Sequence, residues 1–153
     1  REEDAVVSAV SAAKTILEAD STLTAAATGG IYDLAETGPN GISRTTTPDA
    51  FDANEMILPC ILIKSRGATP DGALVDEAEQ YASAREVLEV WFYEDSGYAN
   101  IDTMRDRVYT LLHAVQLSGT FMVLWAGDLG QQRDTDLDAS LDRSEFAVHT
   151  YKD

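Results

Sequence analysis

The sequence predicts an α+β fold: a mixed, largely antiparallel β-sheet packed by two amphipathic helices, with long loops. Two runs, EVLEVWFYE and TFMVLWAG, are typical of strands. Between them, apolar residues recur at alternating spacings of three and four, which is typical of one helix face. That apolar stripe consists of Ile101, Met104, Val108, Leu111 and Val115. With 153 residues, the chain has the length of one domain, so we expect a single domain over residues 1–153.

The N-terminal segment predicts the first amphipathic helix. Its apolar face consists of Val6, Val10, Ala13 and Leu17. Asp20 and Ser21 are expected to end this helix. After the Gly29–Gly30 break, Ile31 and Tyr32 predict a short strand.

Two long loops are expected, at about 36–57 and 67–82. The first is rich in Gly, Pro, Thr and Asp and is predicted to be exposed; the second combines turn residues with an acidic stretch. A strand from Leu58 to Lys64 separates them, with Pro59 tolerated near its start. Loops of this length in a compact domain are usually functional or disordered.

The C-terminal half predicts strand, helix, strand and a closing strand. Residues Arg85 to Glu94 alternate between two faces, and a helix follows from about 100 to 117, capped by Asn100 or Asp102. The run 121–125 is apolar on both sides, which favours a central position in the sheet. The last run, 144–151, is predicted to be a closing strand.

The charge of the chain disfavours several functions. Acidic residues number 27 against 11 basic ones, a net charge of -16 with a pI near 4.2, so neutralisation of phosphates or of an anionic membrane is disfavoured. The single Cys60 excludes an internal disulfide and is expected to be buried. His113 and His149 have no Asp, Ser or Cys at the spacing of a triad or metal pair. We therefore expect no catalytic residues and no cofactor in a soluble protein.

One acidic run matches part of a calcium loop. Carboxylates occupy positions 1, 3, 5, 9 and 12 of an EF-hand pattern, as Asp134, Asp136, Asp138, Asp142 and Glu145. Ala139 stands where the turn normally requires glycine, and no helix is predicted before the run. A solvated acidic hairpin is therefore favoured, and calcium binding is kept as an alternative.

Two aromatic residues are candidates for a subunit interface. Trp91 and Tyr93 share the second face of their predicted strand, opposite Leu88, Val90 and Phe92. Large aromatic residues at alternating strand positions lie either in a core or at an interface. We favour the interface.

The order of these elements resembles that of the tail terminator, or tail completion, proteins of long-tailed bacteriophages and related gene-transfer particles. The resemblance spans nearly the whole chain. Its residues are Leu17 and Leu23, Gly30–Asp33, Pro59–Ile63, Glu86–Tyr93, the helix residues Ile101, Met104, Val108 and Leu111, and Arg143–Phe146.

What this resemblance implies is a structural virion protein and not an enzyme. Such a subunit forms a ring, commonly a homohexamer, that caps the tail tube and joins it to the neck proteins on the head side. DNA would pass through the ring without specific binding, no membrane would be involved, and assembly would take place in the host cytoplasm. Exposed strand edges such as the terminal one are expected to pair between subunits. Alternatives are another head-tail connector, an acidic DNA mimic that inhibits a DNA-binding protein, and a calcium-binding module.

Overall fold

The computed structural model describes residues 8–70, 82–117 and 122–152. The elements confirm the α+β class. The helices are α1 (Ala9–Glu18), α2 (Ser21–Ala26), α3 (Leu34–Thr37) and α4 (Ala99–Leu112), with a 3-10 turn at Pro48–Ala50. The strands are β1 (Ile31–Asp33), β2 (Cys60–Pro70), β3 (Ala82–Glu94), β4 (Met122–Asp128), β5 (Gln132–Asp134) and β6 (Ala139–Lys152).

The described strands form one mixed sheet in the order β1-β2-β3-β6-β4, and β5 also pairs with β6. Among the pairings of the described residues, β1–β2 is parallel and the others are antiparallel. The long strands β3 and β6 pair from Ala82 with Lys152 to Glu94 with Ser140. These two strands therefore form the middle of the sheet.

The expected positions of the last two strands were wrong. The run predicted to be central contains β4, which lies at an edge, and Phe121 lies outside the described residues. The terminal strand β6 lies inside the sheet. With 14 residues against 7 in β4, β6 is long enough to pair with β3 on one side and with both β4 and β5 on the other. In β4, Val123 is buried but Met122, Leu124 and Trp125 are exposed, so the apolar run does not correspond to a strand covered on both sides.

The helices cover one face of the sheet, called here the helix side. The predicted stripe of α4 is buried at Ile101, Met104 and Val108, and Leu111 is partly buried. The other members of this core are mainly Ala13, Leu17, Leu23, Ile61, Ile63, Leu88, Val90, Phe92, Leu112, Phe146 and Val148.

Both predicted helices have ends that differ from the prediction. The first ends at Glu18, and Asp20 begins a new helix, because its carboxylate accepts a hydrogen bond of 2.8 Å from the Leu23 backbone. Helix α4 ends at Leu112, so Val115 lies beyond it. There Ala114 has a φ of 62°, which a helix does not permit. Val6, predicted to lie on the apolar face of the first helix, is outside the described residues.

The segment predicted to be an exposed loop at 36–57 is instead packed on the opposite face, called here the strand side. Ile42, Ala50, Phe51 and Ile57 are buried there. They form a second core with Cys60, Leu62, Tyr93, Ala139 and Leu141. The apolar residues are separated by turn residues without a helical or strand period, so the pattern did not predict their burial.

Both ends of the second predicted loop, 67–82, belong to strands instead. Strand β2 continues to Pro70 and remains paired with β3 up to the Pro70–Ala84 position, with a bulge between Ser65 and Ala68. The remainder of that prediction, residues 71–81, lies outside the described residues.

Candidate functional site

Charged and aromatic side chains meet on the strand side, where the second core ends. Register places Lys64 of β2 opposite Glu89 of β3, and Glu89 opposite Glu145 of β6. One step along, Trp91 lies opposite Arg143. The sheet-face cluster is defined as Lys64, Arg66, Glu89, Trp91, Arg143 and Glu145.

In the cluster, the carboxylates of Glu89 and Glu145 lie beneath the guanidinium group of Arg66. Arg66 Nη1 donates to Glu145 Oε2 at 2.8 Å and to Glu89 Oε2 at 3.4 Å. The Glu89 side chain is 7% exposed and that of Glu145 is 19% exposed, whereas that of Arg66 is 53% exposed. Arg143 Nη2 also contacts Glu145, at 2.9 Å. Of these four side chains, the cationic Arg66 is therefore the most exposed, although the chain as a whole is acidic.

Trp91 contacts both a carboxylate and two cations of the cluster. Its indole Nε1 donates to Glu89 Oε1 at 3.0 Å. Lys64 Nζ and the Arg143 guanidinium lie 5.0 and 5.2 Å from the ring centroid, within cation–π range. The ring remains partly exposed.

The second predicted interface residue, Tyr93, is in a different environment. Tyr93 is 7% exposed and belongs to the second core, where burial raises the pKa of its hydroxyl well above the usual value. The neighbouring Cys60 is buried as expected, and burial raises the pKa of its thiol to about 12. Of the two aromatic residues, Trp91 is the one with surface available to a partner.

A cleft of about 280 Å³ opens on the helix side, between α4, β4 and β6. The helix-side cleft is lined by Arg105, Asp106, Tyr109, Trp125, Asp128 and Ser144. Tyr109 and Trp125 form its aromatic walls, with ring centroids 6.0 Å apart in an edge-to-face arrangement. Each of the two residues is 43% exposed. Sequence reasoning missed the cleft, because α4 and β4 meet only in the folded sheet.

The floor of the cleft is an ion-pair network around Arg105. Its Nη1 contacts Asp142 Oδ2 at 2.9 Å and Asp102 Oδ1 at 2.8 Å. Burial alone would lower the pKa of Arg105, but the two carboxylates raise it above its usual value. Asp106, with a side chain 78% exposed, and Asp128 form an acidic rim.

The carboxylates of the predicted calcium loop are divided between different partners. Asp134 Oδ1 accepts hydrogen bonds from the Asp136 and Leu137 backbones at the turn between β5 and β6, and Asp138 pairs with Arg133. Asp142, 1% exposed, pairs with Arg105, and Glu145 pairs with Arg66. Within the described ranges, no group of three or more His, Cys, Asp and Glu residues is placed to hold a metal ion.

The outer edge of β4 is occupied by the chain that precedes it. Val123 donates to Val115 O at 2.9 Å and accepts from Ala114 N at 2.7 Å. Trp125 N donates to His113 Nδ1 at 3.0 Å, and the His113 ring stacks on Tyr109 at 4.8 Å. His113 therefore helps to close the edge.

Comparison with known proteins supports the fold. No family model and no curated protein sequence matches the chain. A solved structure described as "Virion of native gene transfer agent (GTA) particle" contains a chain with the same fold, with a TM-score of 0.66 and 15% identity. The match covers 92% of each chain. This protein therefore shares its fold with a component of that particle. In the described part of the chain, no helix is long and apolar enough to cross a membrane.

Proposed function

We propose that the protein is a structural component of a phage-like virion. The observation that carries the proposal is the fold shared with a gene transfer agent component over 92% of both chains. A match of this extent spans nearly the whole of both chains and is not limited to one supersecondary element. It is supported by the independent similarity in element order to tail terminator proteins.

Within the virion, we infer a tail terminator or tail completion subunit. Six copies would form a ring that caps the last ring of the tail tube and joins it to the neck proteins. The exposed side chains of the helix-side cleft and the sheet-face cluster supply contact surfaces on both sides of a thin sheet. A subunit in the middle of a stack needs surfaces on more than one side.

The charge distribution suits a passage for DNA. Five described arginines contact carboxylates of the same chain: Arg66 and Arg143 contact Glu145, Arg105 contacts Asp142, Arg107 contacts Asp20 and Arg133 contacts Asp138. With a net charge of -16, the surface taken as a whole is acidic. Acidic walls repel the phosphate backbone, so DNA can slide without being retained.

Two alternatives from the sequence retain some support. Another head-tail connector would share the fold and the acidic surface. An acidic DNA mimic is supported by the net charge alone. A calcium-binding module would need Asp134, Asp142 and Glu145 to converge on one ion, and they are held at separate positions by hydrogen bonds or arginine partners.

Negative-stain imaging with purified tail tubes tests the proposal. We expect ring-shaped particles at one end of each tube. A protein that stays a strict monomer and leaves both tube ends bare would overturn the terminator role. Rings that bind a head-side partner but not the tube would assign the protein to another connector position. Tight, salt-sensitive binding to a basic DNA-binding protein would instead favour the DNA mimic.

A further inference from the structure

The two candidate surfaces lie on opposite sides of the sheet. Val123 and Trp125 of β4 point to the helix side, where Trp125 contacts Tyr109 of α4. Trp91 and Arg143 point to the strand side, in the same alternation as the buried Tyr93 and Leu141 of the second core. Each copy therefore carries one surface on each side.

The strand-side surface offers cations. The carboxylates of Glu89 and Glu145 lie beneath the more exposed Arg66. Arg85, also exposed, lies on the same face of β3, four residues before Glu89. Four of the 11 basic residues of the chain are therefore gathered on this face, namely Lys64, Arg66, Arg85 and Arg143.

The helix-side cleft offers what a guanidinium group prefers. Planar guanidinium groups stack on aromatic faces and pair with carboxylates. Tyr109 and Trp125 supply exposed rings, and Asp106 and Asp128 supply the acidic rim. Arg105 at the floor contacts all four carboxylates, those of Asp102 and Asp142 at 2.8 and 2.9 Å and those of Asp106 and Asp128 at 3.6 and 3.9 Å. Its single positive charge therefore leaves the cleft negative.

We propose that the strand-side cations of one copy dock at the helix-side cleft of a second copy. Both complementary surfaces are present on one chain, on opposite sides, so the same contact can be repeated from copy to copy. Such a head-to-tail contact closes into a ring when its rotation permits. The inference rests on the proposed ring function and identifies its subunit interface. Residues 113–115 already occupy the outer edge of β4, so a second copy would bind there through side chains and not by adding a strand.

Opposite charge reversals test this pairing. The full-length chain, Arg85→Glu, Asp106→Lys and an equimolar mixture of the two variants are compared by sedimentation velocity at about 0.15 M salt, with tail tubes present if assembly requires them. Each variant alone should associate about tenfold or more weakly, because like charges meet at every contact. The mixture should recover association, since the carboxylate introduced at position 85 meets the ammonium group introduced at position 106, and each native Arg85 meets a native Asp106.

The control is Asp136→Lys, which makes the same charge change as Asp106→Lys on the exposed turn between β5 and β6, at a residue that belongs to neither the sheet-face cluster nor the cleft lining. It should associate like the native chain. If native rings form and neither reversal weakens them, this interface is wrong while the ring function stands. If both reversals weaken association and the mixture does not recover, the two surfaces do not meet. A native chain that stays monomeric with and without tubes overturns the proposed function together with this inference.

Discussion

At the scale of single residues, Glu94 shows how a strand organises the following helix. Its side chain, on a residue only 6% exposed, accepts hydrogen bonds from the Ile101 backbone at 2.9 Å and from Asn100 Nδ2 at 3.1 Å. The sequence predicted Asn100 or Asp102 as the cap of α4, and this was wrong. The cap comes from the end of β3, and Asp102 pairs with Arg105 instead.

We expect Glu94→Ala to lower the free energy of unfolding by about 1–3 kcal/mol, because it leaves a buried helix N–H without an acceptor. Glu94→Gln should cost less, since the amide oxygen can still accept one bond. Urea unfolding measures both changes. Glu18→Ala, at an exposed position of α1, serves as control and should change stability by no more than about 0.5 kcal/mol. Equal effects at positions 94 and 18 would contradict the capping role.

Asp20 joins α2 to α4 and makes the fold sensitive to acid. Arg107 donates to its two carboxylate oxygens at 2.6 and 2.9 Å, which holds the pKa of Asp20 at about 2, below its ordinary 3.8. Because the folded-state pKa is the lower one, this pair stabilises the fold above pH 3.8. The contribution is lost as the pH falls towards 2.

An NMR titration of the Asp20 carboxyl should give a midpoint near 2 in the native chain. Arg107→Gln should raise the midpoint towards 3.8, although the hydrogen bond from Leu23 N retains part of the lowering. In Asp20→Asn, the free energy of unfolding should fall less steeply as the pH is lowered from 3.8 towards 2, because the carboxylate that titrates in this range is absent. A midpoint that Arg107→Gln leaves unchanged would show that the ion pair does not form in solution.

At the scale of elements, the sequence predicted local structure better than placement. The alternation at Leu88, Val90 and Phe92 and the stripe on α4 correctly predicted buried faces, because these residues repeat with the period of their element. The position of β4 at an edge was not predictable from its apolar run, since pairing depends on the distant β6. Trp91 and Arg143 meet through the same long-range pairing.

The packed segment 36–57 allows a test with two adjacent residues. Ile57 is 3% exposed in the second core, whereas Met56 is 45% exposed. Ile57→Ala should lower the free energy of unfolding by about 2–4 kcal/mol, through lost burial and the cavity left behind. Met56→Ala should change it by less than about 0.5 kcal/mol. Both are measured by denaturant unfolding. If the two variants are equally stable, the segment does not pack on the sheet in solution.

At the scale of the whole molecule, composition established the net charge and the fold determined its distribution. The sequence predicted weak affinity for phosphate from 27 acidic residues against 11 basic ones. Strand register then gathers Lys64, Arg85 and Arg143 on the strand side, which composition could not show. The molecule therefore has a cationic region on one side of the sheet and an acid-rimmed cleft on the other.

Binding of duplex DNA distinguishes a passive conduit from a phosphate-binding surface. We expect a labelled duplex to bind with a Kd weaker than roughly 10⁻⁴ M at physiological salt, with almost no dependence on salt, because few phosphates would be neutralised. Glu89 and Glu145 offset two of the four positive charges of the strand side, so few charges remain there to neutralise phosphates. Fluorescence anisotropy over a salt series makes the measurement. The opposite result would be tighter binding whose logarithm falls steeply with the logarithm of the salt concentration. If Arg85→Gln reduces that slope by about one unit, the strand side binds the phosphate backbone. A surface of that kind would slow DNA in a conduit, so this result would count against the terminator role as well as the low affinity.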